Sequence, residues 1–333
     1  MKRRSIALLI LILLLLWPAL AEPSRTFFAM DTVMSVSAHG ADESLLDACE
    51  AEVFRLEALM SVTREESEIG RLNAGGQAAL SEDTEAVLGF ALGMCDLTGG
   101  ALDVTLYPVV RAWGFTTGDF RVPSDQEIEE LLTLVDWRKV ELNDGTASVP
   151  EGTMVDLGAL AKGYASDRLA SVLCEGGVDS ALINLGGNVC CLGTKPDGSD
   201  WRVGIQDPKD PQRFVGAVQV RDRAVITSGS YERYFTAEDG TVYGHIFDPA
   251  TGRPADSGLI SATVVGVSGI QCDALSTALY VMGVDRACAL LSTLEGVDAV
   301  LVGEDGGLWV TDGLYDRFTP MDDYKRAKIH WIE

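Results

Sequence analysis

Apolar residues recur at helical spacing in several stretches of the chain. In "SLLDACEAEVFRLEALMS" they follow a 3.6-residue period, which predicts a helix over residues 44–60. The same spacing predicts helices over residues 83–98 and 126–137, and Gly99-Gly100 would end the first of these two. The polar stretch "TREESEIGRLNAGGQ" predicts a loop.

Two further helical stretches carry polar residues at their starts. In "VDLGALAKGYASDRLASVLCEGG", Asp156 stands where a helix cap would stand, and Gly176-Gly177 stands where the helix would stop. The stretch "CDALSTALYVMG" predicts a helix over residues 273–282 that opens on Asp273, and another helix follows around residues 285–294.

Strand patterns dominate after residue 178. They are "SALINLGG", "VCCLGT", "WRVGIQD", "GAVQVRDRAVITSG", "YERYF", "YGHIFDP" and "SATVVGV", and "VMSVSAH" predicts an earlier strand over residues 33–39. Asp144-Gly145 and "DAVLVGEDGGLWVT" predict hairpins. Because strands come in runs between helical blocks, we expect an α+β fold with largely antiparallel or mixed sheets packed with helices. The length fits one large unit or two intimate lobes.

The first 21 residues differ in character from the rest. "MKRRSIALLILILLLLWPALA" has a basic start, a short apolar run and small residues at its end, the pattern of an export signal or an N-terminal membrane anchor. The prediction is therefore an exported, extracytoplasmic protein, in the periplasm or on the outer face of the cell membrane. Membrane association would come only through this segment.

The remainder of the chain is strongly acidic. The formal net charge is −24, and removing the three basic residues of the first segment lowers it to −27. Such a charge argues against nucleic acid as a partner, and an anionic ligand would need local positive charge or a divalent cation. The seven cysteines do not form a small disulfide scaffold, and adjacent Cys190 and Cys191 would point to opposite faces of a strand.

Asp273 and Thr277 lie four residues apart, on one face of the predicted helix. Three interpretations stay open: Asp273 caps the helix, Thr277 is a core threonine bonded back to a carbonyl, or the two oxygens are half of a metal site. A carboxylate and a hydroxyl, joined by a backbone carbonyl, are hard donors that suit Mg²⁺.

Two more residues are candidates for chemistry. His245 follows a predicted strand at the entry to a turn, where it could act as a general base or be a hydrogen-bonded structural histidine. Lys162 lies among small residues that would leave its amino group accessible to a ligand. No "GxGxxG" or "GxxxxGKS" pattern is present, so a nucleotide site would not be of the Rossmann or P-loop kind.

Taken in order, nine motifs resemble those of the ApbE family, the FAD:protein FMN transferases. They are "MDTVMSV", "SEIGRLN", "GGALDVTLYPVVRAWGF", "VDLGALAKGYASDRL", "LINLGGN", "WRVGIQDP", "ITSGSYERYF", "GHIFDPATGRP" and "CDALSTAL". The resemblance runs from about residue 30 to residue 318, which implies an ApbE-like flavin transferase domain over residues 26–325.

The resemblance implies a set of site residues. FAD would be the substrate and Mg²⁺ the cofactor on its diphosphate, with the metal held by the carbonyl of Ala159 and the side chains of Asp273 and Thr277. His245 would be the catalytic base. The residues expected to contact FAD are Met30, Ala101, Leu102, Asp103, Asp156 and Lys162.

The resemblance also implies a reaction and its partners. FMN would pass from FAD to a threonine or serine hydroxyl of acceptor flavoproteins in membrane or extracytoplasmic redox systems, with release of AMP. Alternatives are Mg²⁺-dependent hydrolysis of FAD to FMN and AMP, or a non-catalytic exported flavin-binding protein. Two residues depart from the family pattern: Asp31 replaces a glycine, and Thr63 stands where an aromatic residue is frequent.

Overall fold

This computed structural model describes residues 23–333, in which runs of strands lie between helices. The predicted signal or anchor over residues 1–21 lies outside the described residues. The α-helices are α1 (Glu43–Met60), α2 (Glu68–Gly75), α3 (Glu82–Leu97), α4 (Tyr107–Ala112), α5 (Asp125–Leu132), α6 (Ala161–Glu175) and α7 (Gly269–Leu291). Short 3-10 helices span Trp137–Lys139, Asp312–Leu314 and Asp322–Arg326.

The strands fall mainly in the second half of the described chain. They are β1 (Ser24–Ala29), β2 (Thr32–Ala38), β3 (Gln77–Ala79), β4 (Glu141–Asn143), β5 (Thr146–Ser148), β6 (Ser180–Leu185), β7 (Asn188–Gly193), β8 (Trp201–Asp207), β9 (Asp210–Val220), β10 (Arg223–Ser228), β11 (Tyr234–Thr236), β12 (Val242–Gly244), β13 (Phe247–Asp248), β14 (Arg253–Pro254), β15 (Leu259–Gly266), β16 (Asp298–Gly303), β17 (Leu308–Thr311), β18 (Phe318–Pro320) and β19 (Ile329–Ile332).

A nine-stranded sheet forms the centre, in the order β1-β2-β6-β7-β10-β15-β16-β17-β19. Its neighbours are antiparallel except β17 and β19, which are parallel. Smaller sheets join β18-β9-β8 and β3-β5-β4, and β11-β12 and β13-β14 are separate pairs. The predicted α+β class with largely antiparallel and mixed sheets is confirmed, as is the hairpin that turns at Asp144-Gly145.

Both faces of the central sheet are buried, against different partners. Cys190 points into the larger core with the helices, whereas its neighbour Cys191 points into a second core that includes Val218 of β9 and Phe318 of β18. This alternation follows from the two-residue period of a strand. The prediction that the adjacent cysteines face opposite sides is therefore confirmed.

Several predicted boundaries are wrong. The helix predicted from Asp156 begins five residues later as α6, because Asp156 turns its carboxylate to the N–H of Gly158 instead. The polar stretch predicted as a loop contains α2, capped by the Ser67 side chain, and ends at the first residue of β3. The helix predicted over residues 126–137 ends at Leu132, and a 3-10 helix begins at Trp137.

Helix α7 begins earlier than predicted. Ser268 is its N-cap and accepts the N–H of Gln271, so Asp273 lies inside the helix rather than at its start. The two predicted helices form one span interrupted at Gly283, which has φ 73° and ψ 175°. By length and composition α7 could cross a membrane, but it packs against α6, β10 and β15 as a core helix.

Two glycines let α6 and α7 cross at backbone contact. A Cβ atom added to Gly163 would lie 2.7 Å from the Asp273 Cβ and still closer to the Gly269 carbonyl oxygen. One added to Gly269 would lie 2.6 Å from the Gly163 carbonyl oxygen. Any side chain at either position would force the helices apart, so the crossing depends on glycine at both.

We expect Gly163→Ala to lower the free energy of unfolding by about 1–3 kcal/mol, because the added methyl overpacks the crossing. The matched control is Gly93→Ala in α3, where an added Cβ meets nothing within 4 Å. It should raise the free energy of unfolding by about 0.5–1 kcal/mol through helix propensity. Urea denaturation of both variants measures the difference. Equal changes in the free energy of unfolding would contradict the close backbone contact of α6 and α7 at Gly163.

Candidate active site

The crossing of α6 and α7 fixes the Asp273 carboxylate. Its Oδ2 accepts the backbone N–H of Gly163 at 2.8 Å, and the residue is 5% exposed. Such a bond requires the helix backbones to approach closely, which Gly163 and Gly269 permit. The acid is therefore held by a main-chain group and not by a flexible side chain.

This bond leaves the carbonyl of Ala159 available. In a helix the N–H of Gly163 would pair with the carbonyl four residues earlier, which belongs to Ala159. Gly163 donates to Asp273 instead, and within residues 23–333 no other donor reaches the Ala159 oxygen. A half-buried carbonyl without a donor needs another partner, such as water or a cation.

Thr277 lies one turn after Asp273 and is half-buried. Its hydroxyl lies 3.2 Å from the Ser228 hydroxyl at the end of β10, which also lies 2.8 Å from the Ser276 hydroxyl. It is Ser276, not Thr277, that bonds back to a helix carbonyl, that of Asp273. The helix-cap interpretation of Asp273 and the core-threonine interpretation of Thr277 are therefore wrong.

Opposing effects act on the Asp273 carboxyl group. Burial raises its pKa, and Lys162, the N–H of Gly163 and the Asn188 amide lower it. Asn188 is 2% exposed, and its Nδ2 faces the carboxylate without meeting full hydrogen-bond geometry with any described residue. The groups that favour ionised Asp273 thus come from α6 and from the start of β7.

Lys162 is half-buried near both Asp273 and His245. Its charge lowers the pKa of both groups. Nearby Glu232 lies at the surface, where partial desolvation raises its pKa and Lys162 and Arg233 lower it. None of the salt bridges between described residues includes Lys162. Its ammonium group is therefore free to meet an anionic ligand.

His245 follows a strand, as predicted, but it lies in a bend between β12 and β13, and the turn begins only at Pro249, after β13. Its backbone N–H and its ring Nδ1 both lie 3.1 Å from the Arg233 carbonyl oxygen. Because a carbonyl can only accept, this contact assigns the proton of the neutral ring to Nδ1 and leaves Nε2 as an acceptor. The pKa of His245 is lowered to about 4, chiefly by burial; the carbonyl bond opposes this shift, and the charges of Arg233 and Lys162 add to it.

The predicted flavin contacts near residue 100 join the segment that leads to α6. The N–H of Asp156 donates to the Val104 carbonyl at 2.8 Å. Asp103 accepts from the N–H and the hydroxyl of Thr105, and burial raises its pKa while these two bonds lower it. Ala101 and Leu102 are buried beside them. The bond from Asp156 to Val104 brings the segment of Asp103 beside Asp156. Asp156 in turn precedes Lys162 by six residues.

Met30 lies in the turn between β1 and β2, with its neighbour Asp31. Ala29 pairs with Thr32, so the turn has two residues, and both have positive φ, 46° and 59°. The N–H of Met30 donates to Glu57 Oε1 at 3.0 Å, and Arg233 Nη2 donates to the Asp31 carbonyl at 3.1 Å. The predicted flavin contact Met30 and the predicted base His245 are thus joined through Arg233.

Aromatic rings and a cavity flank His245. Its ring centre lies 6.5 Å from that of Phe115, which packs on Phe120, Phe235 and Phe247. An open cavity of about 610 Å³ begins one residue away, and its lining includes Gly244, Ser230 and Tyr280. Tyr280 lies seven residues after Asp273 on the same face of α7, so this face of the helix reaches the cavity.

Several residues of the site carried no predicted role. Gly163, Asn188 and Ser228 lie inside motifs that the sequence analysis singled out, but their tasks depend on contacts across the fold. Arg233 also lies inside one of these motifs, but its partner Asp31 is 202 residues away. Within residues 23–333, no group of three or more His, Cys, Asp or Glu side chains could hold a metal, so a cation would need carbonyl or hydroxyl oxygens as well.

Comparison with known proteins gives consistent matches. A sequence model of the ApbE family matches residues 30–301. The FAD:protein FMN transferase of Treponema pallidum is 36% identical over 295 residues, which cover 81% of this chain and 81% of the relative. That of Klebsiella pneumoniae (strain 342) is 34% identical over 288 residues, 84% of this chain and 89% of the relative. The crystal structure of the ApbE protein from Thermotoga maritima has a TM-score of 0.82 at 31% identity, and the match covers 89% of this chain and 99% of that chain.

The lowered pKa of His245 predicts a pH-dependent stability. The ordinary value is 6.5 and the folded value about 4, so between these values the folded protein binds fewer protons than the unfolded chain. The contribution of His245 to the free energy of unfolding therefore falls as pH decreases from 6.5 to 4. We expect His245→Asn to remove this part of the pH dependence, measured by urea denaturation between pH 7 and pH 4.5. Identical pH slopes for both proteins would show that the ring is not buried in its neutral form.

Proposed function

The chain belongs to the ApbE family, and we propose that it is a FAD:protein FMN transferase that moves FMN from FAD to a protein acceptor. The observation that carries the proposal is the Gly163 N–H, which bonds Asp273 and leaves the Ala159 carbonyl without a donor. Asp273, Ala159 and Thr277 then present three kinds of oxygen near Lys162 and His245.

We propose that Mg²⁺ is the cofactor. A carboxylate, a hydroxyl and a main-chain carbonyl are the hard oxygen donors that Mg²⁺ prefers, and a carbonyl without a donor fits that use. Asp273, Thr277 and Ala159 would hold the ion. When bound, Mg²⁺ would offset the charge of the diphosphate and of the leaving group.

The same arrangement explains how an acidic protein could hold FAD. The chain has a formal net charge of −24, which opposes the approach of a diphosphate. Lys162, without an ion pair among the described residues, supplies local positive charge at the site. Met30, Asp156 and the segment Ala101–Asp103 would contact other parts of FAD, as the family resemblance implies.

We propose that the acceptor is a threonine or serine hydroxyl. The hydroxyl oxygen forms a bond with the FMN-side phosphorus, the bond from that phosphorus to the AMP oxygen breaks, and AMP leaves. His245 accepts the hydroxyl proton at Nε2, because Nδ1 is occupied by the Arg233 carbonyl. Its pKa of about 4 keeps the ring neutral near pH 7, and an adjacent anion would raise that pKa and strengthen it as a base.

The partners and the compartment follow from the same resemblance. We propose that the acceptors are flavoproteins of membrane or extracytoplasmic redox systems and that this chain is exported. The basic and apolar pattern of residues 1–21 supports export, either as a cleaved signal or as an anchor. The cavity beside Gly244 supports a protein acceptor, since it leaves open space next to His245.

The test of the proposed function is covalent flavin transfer. The protein is incubated with FAD, Mg²⁺ and a candidate acceptor flavoprotein, and mass spectrometry then measures the acceptor. We expect a mass increase equal to one FMN phosphoester and one AMP released per flavin attached. Release of FMN and AMP with no acceptor modified would identify the protein as a FAD hydrolase instead.

Asp273→Asn should abolish Mg²⁺-dependent turnover while the protein still folds. The asparagine oxygen can still accept the Gly163 N–H, but it lacks the charge that a cation requires. The matched control is Asp167→Asn, because Asp167 also accepts α7 backbone N–H groups, from Gly269 at 2.7 Å and Ile270 at 3.0 Å. The control should lower stability yet keep the Mg²⁺ dependence. Magnesium titration and thermal unfolding compare the two, and wild-type turnover in Asp273→Asn would refute the ligand assignment.

His245→Asn should bind FAD normally but transfer FMN about 10²–10⁴-fold more slowly, which is the usual range for loss of a general base. Flavin fluorescence measures FAD binding, and acceptor labelling measures transfer. Because the free ring stays neutral down to about pH 4, the acidic limb of kcat/KM for the wild type should lie well below pH 6.5. A limb near pH 6.5, or an unchanged rate in the variant, would exclude His245 as the base.

A further inference from the structure

Arg233 joins two parts of the proposed site through two different groups. It directly precedes β11, and the N–H of His245 donates to its carbonyl at 3.1 Å. This extends the pairing of Tyr234 with Gly244 by one step. Residues opposite each other on paired strands point to the same face, so the guanidinium of Arg233 and the ring of His245 lie on one side of this hairpin.

The main-chain carbonyl of Arg233 sets the orientation of the ring. It accepts from the backbone N–H and from Nδ1 of the same histidine, both at 3.1 Å. Two donors from one residue on one oxygen fix both the backbone and the ring plane. A shift of residue 233 would therefore move Nε2, the atom that would receive a proton.

The guanidinium of Arg233 reaches in the other direction, to the turn of β1 and β2. Its Nη2 donates to the Asp31 carbonyl at 3.1 Å. Met30 and Asp31 both have positive φ, a conformation that costs free energy for residues other than glycine and persists only where contacts hold it. The holding contacts are Glu57, which accepts the Met30 N–H, and Arg233.

We propose that Arg233 is a positioning residue that couples the Met30–Asp31 turn to His245. The carbonyl keeps Nε2 directed into the site, and the guanidinium keeps the turn that carries Met30 against the same hairpin. The role of the turn in FAD binding rests on the proposed function, whereas the coupling itself can be measured without FAD.

The charges around His245 make this coupling observable. Within the described residues, the charged groups that act on the ring are Arg233, next to β11, and Lys162 on α6, and both lower its pKa. The ring also packs on Phe115. Removing the Arg233 charge should raise the pKa of His245. Replacing Arg233 by lysine keeps a positive charge and should not raise it.

The test uses the protein without FAD. The chain has only three histidines, so NMR of histidine labelled with ¹³C and ¹⁵N can resolve His245. In Arg233→Ala we expect its pKa to rise and the amide exchange of Met30 to become about 2- to 10-fold faster, the range for losing one exposed hydrogen bond. In Arg233→Lys we expect the pKa to stay near its original value while exchange still increases.

The matched control is Arg213→Ala, an exposed arginine on β9 that pairs with Asp323. It should change neither the titration of His245 nor the exchange of Met30. The proposal is overturned if Arg233→Ala leaves both unchanged, or if the lysine variant raises the pKa as much as the alanine variant. If Arg233→Ala does not fold, Arg233→Lys still decides through Met30 exchange.

A final measurement separates this inference from the proposed function. Flavin fluorescence should give about 2- to 10-fold weaker FAD binding for Arg233→Ala, since the turn that carries Met30 is loosened. If the wild type does not bind FAD, the proposed function fails, while the titration and exchange results still decide the coupling. If FAD binds equally well to both proteins despite faster exchange, the turn is not part of the flavin site and that part of the proposal is overturned.

Discussion

The hydrogen bond from the Gly163 N–H to the Asp273 carboxylate is the interaction on which the site depends. It exists because Gly163 and Gly269 let α6 and α7 cross without side chains between them. The bond has two consequences at once: it fixes a buried acid, and it removes the donor that the Ala159 carbonyl would have in a regular helix. One backbone N–H thereby sets up two oxygen atoms that could bind a cation, the Asp273 carboxylate on α7 and the Ala159 carbonyl before α6.

Burial makes this arrangement costly without a compensating charge. A carboxylate with little exposure is disfavoured in its ionised form, and the effect of burial on the pKa of Asp273 is in that direction. Lys162, the Gly163 N–H and the Asn188 amide act the other way. In a chain with 50 acidic and 26 basic residues, such local positive groups decide where an anion can bind.

The sequence predicted the elements better than their ends. The two-residue strand period placed Cys190 and Cys191 on opposite faces correctly, because that rule is local. Asp156 and Asp273 were both expected at helix starts, and both expectations were wrong. Each resembles a cap locally, but Asp156 bonds Gly158 and Ser268 caps α7. The roles of Gly163 and Arg233 could not be read from the sequence, since each depends on a partner more than 100 residues away.

Asp31 stands where the family resemblance implies a glycine, and the contacts of the turn explain how it keeps its shape with aspartate. The pairing of Ala29 with Thr32 leaves two residues for the turn, and a tight two-residue hairpin turn requires positive φ at both. Aspartate tolerates this conformation better than most residues, but methionine before it does not. The turn therefore relies on contacts from outside it, from Glu57 on α1 and from Arg233 beside β11. Because the Arg233 carbonyl also holds the His245 ring, the residue whose guanidinium offsets the strain of the turn also connects the turn to the proposed base.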